Sequence, residues 1–435
     1  MIFIPVITLV AIFGLYQVRN RFHYGAVSYL ITTYVLMGVL SLLCELFPVL
    51  FKDTPIRFEP MFFLSICFVM VFLGFWNFTD NKFKAIRIEN IVLYHWLENF
   101  LIVGGLLAIL FFLPFAVTVL KGDISITREQ IYENGSLMAR FGIVNSVFSL
   151  VANLTILAQV CSFISLTPFA GRRNPIRSTL LLISSLSYIV YMLAWAGRDG
   201  VIFWAMSFLF CFLMFREFLA KSDLKRLKKG IMLILVIIFT PFTMISVARF
   251  STSPAGTGLS LISYAGQQIR NFNDHYQVKA PLQEGRFNFP VFVDFLETIN
   301  LKKKSTYDRD KYYSYYWEND VMPNVFTTFI GAFMLDFGKS GDLLILSLLA
   351  MGVWLCTKRM AVTGTMDFAN LVLFVLLYQV VHWGVFYFRQ YSVNFYLLVM
   401  VLIFSVFKYF GKSTIPWPKR TLWKVKLDPG LSTRI

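Results

Sequence analysis

The sequence has little charge, and it lacks the residue patterns that build soluble catalytic centres. Only 15% of its 435 residues are Asp, Glu, Lys or Arg, whereas a soluble domain has about 25%. The spacings typical of zinc sites, nucleotide-binding loops and Ser-His-Asp triads do not occur. These absences argue against proteolysis, zinc chemistry and nucleotide hydrolysis. They also predict an activity without a metal or a cofactor.

Cysteine is scarce, and every cysteine lies within an apolar run or at its end. The five are Cys44, Cys67, Cys161, Cys211 and Cys356. None of them forms a CxxC pair. Free cysteine is among the most buried residue types. We therefore expect five buried thiols that neither form disulfides nor bind metal.

Apolar residues are what the chain has in excess. Hydrophobic residues make up 57% of it and aromatic residues 17%, with a mean hydropathy of +0.66. Runs long enough to cross a hydrocarbon core of about 30 Å recur along the sequence. They lie near residues 2–17, 26–47, 60–77, 98–120, 142–165, 178–196, 199–216, 231–248, 341–357, 366–386 and 391–409. The first run lacks the features of a cleaved signal peptide. The sequence predicts an all-α polytopic membrane protein with about 11 transmembrane helices.

The basic residues give the predicted helices an orientation. The net charge is +16, and Lys and Arg concentrate in alternate connections and in the C-terminal tail. Because short cytoplasmic loops are rich in Lys and Arg, we expect a periplasmic N-terminus and a cytoplasmic C-terminus. Charge distributed in this way favours membrane lipids over nucleic acid as partners. The predicted regions are helices 1–8 (1–249), a large periplasmic loop (250–323), a half-helix with helices 9–11 (324–409) and a basic tail (410–435).

The large periplasmic loop combines basic, acidic and aromatic residues. Its segments 259–272 and 289–299 are predicted to form short amphipathic helices over the membrane face. Aromatic rings interleaved with charges suit sugar binding, because flat apolar faces meet pyranose rings while polar tips reach hydroxyls. The candidate sugar-binding residues are Tyr312, Tyr313, Tyr315, Tyr316 and Trp317. The alternative interpretation is an interfacial belt that anchors the loop at the headgroups.

Arginines close to the outer ends of the predicted spans are candidate binders of pyrophosphate. A guanidinium is always charged and can donate two parallel hydrogen bonds to phosphate oxygens. Arg198 lies in the short turn AGRDG between two predicted spans, and Arg270 lies in the large loop. The other candidates are Arg140, Arg249 and Arg389. The alternative for each terminal arginine is an ordinary contact with lipid phosphate.

Two further residues are candidates for a proton-accepting role. The segment 324–341 and the following span are together too long for one crossing, so we expect a half-helix that breaks near Gly338. This arrangement would leave Asp336 facing an outer cavity as a catalytic base, or alternatively as a helix partner. His275 is the one histidine in an outer loop, and a lone histidine can also be structural.

Taken together, these features resemble the Wzy-type O-antigen polymerases, also called oligosaccharide repeat unit polymerases. The resemblance rests on the GRDG turn (Gly197 to Gly200), the large outer loop late in the chain, and the segment NVFTTFIGAFMLDFGKSG with its Thr327 and Asp336-Phe337-Gly338. It covers the layout of the whole chain and about thirty residues in motif. The arginine-spaced R-x10-G repeats of some members are not found at the arginines of this loop.

The resemblance implies a metal-independent membrane glycosyltransferase with a GT-C-like fold, similar to that of the O-antigen ligases. It implies polymerisation of undecaprenyl-pyrophosphate-linked oligosaccharide repeat units at the periplasmic face of the bacterial inner membrane, for O-antigen or a related surface polysaccharide of lipopolysaccharide. A chain-length regulator of the Wzz type would be a partner. Two alternatives stay open: an O-antigen ligase acting on lipid A core, and a lipid-linked oligosaccharide flippase.

Overall fold

The computed structural model of the protein describes residues 1–47, 55–122, 141–171, 173–197, 199–230, 243, 246–247, 256–303, 309–322, 325–388 and 394–410. The helices named here are α1 (Phe3–Arg19), α2 (Ala26–Cys44), α3 (Phe58–Phe75), α4 (Ile91–Lys121), α5 (Gly142–Asn153), α6 (Thr155–Ser165), α7 (Pro175–Ser185), α8 (Ser187–Ala194), α9 (Asp199–Phe215), α10 (Gly256–Gly266), α11 (Gln268–Gln277), α12 (Pro290–Thr298), α13 (Arg309–Trp317), α14 (Thr328–Thr363), α15 (Phe368–Trp383) and α16 (Asn394–Phe410). Two short strands, β1 (Ala85–Arg87) and β2 (Thr365–Asp367), form a parallel pair.

Several of these helices are suited to a bilayer. Within the described residues, six helical stretches are long and apolar enough to cross a membrane, and a seventh is added if the bent pair α5–α6 is one span. The shorter helices α1, α15 and α16 are also apolar. These helices confirm the prediction of an all-α polytopic membrane protein. The predicted count of eleven stays a prediction, and its span at 231–248 falls almost entirely outside the described residues.

The spans pack closely because small residues lie at their crossings. A Cβ atom added at Gly74 of α3 would lie 2.6 Å from the Cα of Ala350 in α14. One added at Gly105 of α4 would lie 2.7 Å from the Cβ of Ser184 in α7. Without a hydrophobic driving force in lipid, such close backbone approach supplies much of the packing energy between helices. The predicted burial of all five cysteines as free thiols is confirmed.

Helix α14 contains the break that the sequence predicts. Gly338 has φ 68° and ψ −178°, outside the helical region, so α14 consists of a first segment that ends before Gly338 and a longer segment after it. A positive φ with an extended ψ strains a residue that has a Cβ atom, and glycine avoids that strain. The first segment, residues 328–337, is called the half-helix below.

One end of the bundle, called the basic end, is formed by connections rich in Lys and Arg. Strands β1 and β2 pair there, and Asp367 accepts ion pairs from Arg87 (2.7 Å) and Arg359 (3.1 Å). His23 lies 3.1 Å from Glu217, and Arg173 pairs with Asp223. These connections are the ones that the sequence assigns to one side of the membrane. Which side that is stays a prediction.

The opposite end of the bundle, called the loop end, carries helices α10 to α13. Helices α10 and α11 cover the first predicted amphipathic segment, and α12 covers the second. Helix α10 packs directly on the span α2, where Ser41 Oγ donates a 2.5 Å hydrogen bond to the carbonyl oxygen of Gly266. A Cβ atom at Gly266 would lie 2.6 Å from the backbone of Leu40. Part of the loop is therefore packed against the end of α2. That these helices lie over the membrane face stays a prediction.

Candidate functional site

The turn between α8 and α9 brings the GRDG motif to the loop end. The amide of Gly197 donates to the carbonyl oxygen of Met192 at 2.9 Å, and a Cβ atom at Gly200 would lie 2.5 Å from the Cβ of Met192. The positive φ in this turn belongs to Ala196, at 53°. Gly197 and Gly200 are therefore needed for close packing and not for a positive φ. Arg198 itself lies outside the described residues.

The GRDG turn and the large loop meet through a group of aromatic side chains. Tyr387 donates its hydroxyl to Asp199 Oδ2 at 3.4 Å, and its ring stacks on Phe326 with centroids 5.3 Å apart and an interplanar angle of 3°. Phe326 also meets Tyr264 of α10 edge to face at 4.7 Å. We call Asp199, Tyr264, Phe326 and Tyr387 the aromatic junction. It joins residues that flank Arg198 in the sequence to residues at both ends of the large loop.

Arg270 is the one predicted pyrophosphate-binding arginine among the described residues. It projects from α11, and its Nη1 lies 2.8 Å from each carboxylate oxygen of Glu45 at the end of α2. The Arg270 side chain is only 9% exposed. A charge at this depth requires a partner, and Glu45 supplies one. Arg270 therefore attaches the loop to the bundle, and its positive charge is already matched. Arg140, Arg249 and Arg389 lie outside the described residues.

Asp336 is buried in the half-helix and holds the loop in place. Its carboxylate accepts hydrogen bonds from the amides of Phe287 (2.9 Å) and Asn288 (2.7 Å) and from the Asn288 side chain (2.6 Å). The backbone amide of Glu284 donates to the carbonyl oxygen of Asp336 at 2.8 Å, which satisfies one of the acceptors freed by the break at Gly338. Asp336 is fully buried. It does not face an outer cavity as expected, and its contacts are those of a helix partner.

His275 is also buried, and its surroundings keep it neutral. Its Nε2 lies 2.9 Å from the carbonyl oxygen of Met322, so this nitrogen carries the proton because a carbonyl only accepts. Nδ1 has no partner in the described part of the chain. Burial lowers the pKa of His275 to about 4. An imidazole with this pKa is a weak base and is enclosed, so its position suits a structural role better than proton transfer.

The predicted sugar-binding aromatic residues divide into two groups. Tyr312, Tyr313 and Tyr316 are buried on one face of α13 around Leu335 of the half-helix, and the hydroxyls of Tyr312 and Tyr316 are 2.9 Å apart. Burial raises the pKa of Tyr316 to about 12. Their rings form the core of the loop and are not presented to a sugar in this conformation. Trp317, which is 54% exposed, and the half-buried Tyr315 are the accessible members.

A second polar cluster lies at the basic end, between α4, α6 and α7. The buried carboxylate of Glu98 accepts from Ser165 Oγ (2.5 Å) and Arg177 Nη1 (2.9 Å), and His95 Nδ1 lies 2.7 Å away. These side chains and Asn174 line a cavity of about 210 Å³. Across the described chain, this cluster included, no three His, Cys, Asp or Glu side chains are grouped closely enough to share a metal ion. The cluster is compact and neutralises its own acid.

Sequence reasoning did not single out three members of the aromatic junction. Tyr264, Phe326 and Tyr387 belong to apolar surroundings, where an aromatic residue is the ordinary core choice. Asp199 was visible as part of GRDG, but only the fold pairs it with Tyr387. The strongest available signal was position: Asp199 and Tyr387 each lie within one residue of a predicted span end, and Phe326 lies two residues after the start of the predicted half-helix.

Comparisons with known proteins return no relative of this chain: no protein-family model, no curated protein and no solved structure matches it.

Proposed function

We propose that the protein is a membrane-embedded glycosyltransferase that polymerises undecaprenyl-pyrophosphate-linked oligosaccharide repeat units into O-antigen or a related surface polysaccharide. The loop end is the proposed site, facing the periplasm of a bacterial inner membrane. The observation that carries the proposal is the aromatic junction, because it links the GRDG turn to the large loop through Tyr387 and Phe326. These are two of the three features on which the family resemblance rests.

The proposed chemistry needs fixed positive charge where a diphosphate leaves. In an apolar, water-poor site, preorganised cations stabilise the charge that develops on the leaving group. Arg198 follows Gly197 directly and is the proposed principal donor, with Arg249, Arg389 and Arg140 as further donors. Arg270 acts by holding α11 in place through Glu45. No nucleotide is required, because the new glycosidic bond forms as the bond between the anomeric carbon of the donor sugar and the diphosphate breaks, and undecaprenyl diphosphate leaves intact.

The proton of the acceptor hydroxyl requires a base near the same place. The buried settings of Asp336 and His275 favour structural roles for both. Asp199 is a half-buried carboxylate at the aromatic junction, where it accepts a hydrogen bond from Tyr387. We therefore assign the proton-accepting role to Asp199 within this proposal. The exposed Trp317 supplies a flat face for a sugar, as carbohydrate sites require.

The experiment is the replacement of Arg198 by Ala and by Lys in a strain that depends on this chain for its surface glycan. We expect Arg198→Ala to abolish long glycan chains and to leave single repeat units on the lipid A core, with Arg198→Lys partly active because it keeps the charge but loses bidentate geometry. The matched control is Arg359→Ala, which removes an arginine of the basic end that pairs with Asp367. Chain length is measured on gels at equal protein level.

Two outcomes would change the conclusion. Full-length glycan from Arg198→Ala at normal protein level would remove Arg198 from the mechanism. A lipid A core without any repeat unit would indicate the ligase reaction in place of polymerisation. A chain-length regulator of the Wzz type remains a proposed partner, tested by co-purification with the full chain.

A further inference from the structure

A shallow groove runs along the membrane-facing side of α3, and its floor is apolar. Phe62, Ser65, Ile66, Val69, Met70 and Leu73 line it from α3, and Thr8 lines it from α1. Its volume is about 450 Å³. The α3 residues recur at intervals of three and four, so they share one face of the helix. Because this face lies on a helix that is long and apolar enough to cross a membrane, its surface fits a hydrocarbon chain.

Towards the basic end of the bundle, the lining of the groove ends at Leu73. There α1 holds the end of α3, with Arg19 Nε donating to the carbonyl oxygen of Trp76 at 2.9 Å and the Tyr16 hydroxyl to that of Phe78 at 2.6 Å. Helix α14 meets α3 at Gly74, where no side chain separates the two backbones. These contacts fix the basic end of the groove, and its other end points towards the loop end of the bundle.

At the loop end the groove leads to charged groups. Phe58 stacks on Phe62 there, and one turn away Lys339 Nζ lies 2.9 Å from Glu59 Oε1 and 3.8 Å from the ring centroid of Tyr276. The Lys339 and Glu59 side chains are 49% and 73% exposed. An ion pair this exposed contributes little to stability, so an incoming phosphate can replace Glu59 as the partner of Lys339.

The charged end of the groove is continuous with the candidate site. Tyr276 belongs to α11, the helix that also carries Arg270 and His275, and its ring packs on Phe63 of α3 at 5.6 Å. A diphosphate at Lys339 would thus lie beside the loop, with its hydrocarbon chain directed along α3. The groove spans twelve residues of α3, from Phe62 to Leu73, or about 16 Å at the helical rise, which is half the depth of the hydrocarbon core.

We infer that this groove binds the polyprenyl chain of a lipid-linked diphosphate substrate, with Lys339 contacting the diphosphate. The identity of the chain rests on the proposed function. The groove supplies what a long isoprenoid needs: an ordered apolar track that leaves one end of the chain at the site. Thr8 and Ser65 do not compete for a polar ligand, because their hydroxyls donate to Ile4 and Met61 in their own helices.

The test is photo-crosslinking in phospholipid nanodiscs with radiolabelled undecaprenyl pyrophosphate. A benzophenone amino acid replaces Val69, in the groove, or Val103, a lipid-facing residue of α4; these side chains are 40% and 58% exposed. We expect labelling at position 69 to exceed that at position 103 several-fold, to disappear with excess unlabelled compound, and to fall in Lys339→Gln but not in Lys339→Arg. Equal labelling at both positions, labelling that survives competition (an ordinary phospholipid site), or labelling unaffected by Lys339→Gln would each overturn the inference.

A second variant separates this inference from the proposed function. Val69→Trp fills the groove and is expected to shorten the surface glycan, whereas Val103→Trp leaves it at full length. If crosslinking at position 69 is competed but a strain that lacks the protein still makes long glycan chains, the polymerase proposal fails and the polyprenyl groove stands. If Arg198→Ala abolishes polymerisation while position 69 shows no preference over position 103, the groove alone is removed.

Discussion

The basic end and the loop end of this bundle use polar residues in different ways. At the basic end, buried acids join neighbouring connections: Asp80 accepts from the amide of Ala26, and Asp367 pairs with Arg87 and Arg359. At the loop end, Asp336 accepts only from neutral N–H groups of the loop, and Arg270 ties the loop to α2. The basic end therefore fastens the spans to each other, while the loop end fastens an added lobe to the spans.

This comparison separates contacts that hold the fold from contacts that build a site. A contact between adjacent connections restrains the helices whatever the protein does. A contact between a loop and a broken helix fixes a surface that the spans alone would not have. We therefore expect changes at the basic end to lower global stability and changes at the loop end to loosen the loop or alter activity. The predictions below run from the largest expected effect to the smallest.

Gly25→Ala at the basic end should have the largest effect on stability. The added Cβ would lie 2.0 Å from Cγ of Asp80, so the buried carboxylate must leave its partners Ala26 and Asn20. Losing such a buried arrangement costs about 3 kcal/mol or more. Thermal unfolding in detergent is followed with a thiol-reactive dye, since all five cysteines are buried until the bundle opens.

The control for this change is Gly14→Ala. A Cβ atom at Gly14 of α1 would meet nothing within 4 Å, and alanine has the higher helix propensity. We expect an unchanged or slightly raised melting temperature for Gly14→Ala. If Gly25→Ala has the same melting temperature as Gly14→Ala, the buried Asp80 at the basic end does not hold the spans together.

Asp336→Ala should loosen the loop and leave the spans folded. Two backbone amides and one side-chain amide lose their acceptor, at a cost of about 3 kcal/mol for hydrogen bonds to a charged group. Limited proteolysis should then cut within residues 279–303, which we expect to be protected in the parent protein. Glu318→Ala removes an exposed acid from the same loop and should not change the cleavage pattern. Retained protection in Asp336→Ala would mean that Asp336 is not the attachment point.

The comparison also shows which parts of this molecule can be predicted from sequence. The helices, the sidedness of the basic connections and the break at Gly338 follow from apolar runs, charge distribution and one glycine, all of which are local signals. The partners of Asp336 and Arg270 do not, because Phe287 lies 49 residues and Glu45 lies 225 residues away in the chain. Such pairings depend on the packed fold.

The tyrosines of α13 show the same limit in another form. A run of aromatic and charged residues looks the same in sequence whether its rings face sugars or a core. In the structure, residues 312, 313 and 316 share one helical face, and Leu335 of the half-helix lies against it. Only that tertiary contact turns three candidate sugar platforms into core residues and leaves Trp317 exposed. The spacing of these aromatic residues could have divided them between two helical faces, but it could not have shown which face is buried.

Acidification should loosen the loop through His275. Its pKa of about 4 lies below the unfolded value of about 6.5, so protonation favours the open loop. The contribution of neutral His275 to holding the loop closed is complete above pH 6.5. It is lost as the pH falls from 6.5 towards 4, by about 3 kcal/mol in all. Hydrogen exchange of residues 309–322 measures this loss. His275→Gln keeps a hydrogen-bond donor for the carbonyl oxygen of Met322 and should make the exchange rate independent of pH between 6.5 and 4. If the exchange rate of the variant still depends on pH, groups other than His275 cause the loosening.

Breaking the ion pair between Arg270 and Glu45, which attaches α11 to α2, should have a smaller effect on stability. A double-mutant cycle with Arg270→Gln and Glu45→Gln should give a coupling of about 1–2 kcal/mol, because the arginine is almost fully buried. The comparison pair is His23 and Glu217 at the basic end, which is more exposed and should show no measurable coupling. Equal couplings would mean that burial does not distinguish the two ends.

The smallest change in stability is expected for Tyr387→Phe, which removes a long hydrogen bond to Asp199 while the ring still stacks on Phe326. Its cost should be about 0.5 kcal/mol or less. If Asp199 accepts the acceptor's proton, loss of this hydroxyl should still shorten the glycan by altering the carboxylate.

Tyr378→Phe is the matched control: its hydroxyl donates to Ala26 at 3.0 Å towards the basic end. It should lower the melting temperature and leave glycan length unchanged, because that hydroxyl joins spans without touching the loop end. The reverse pattern would place the active surface away from the aromatic junction.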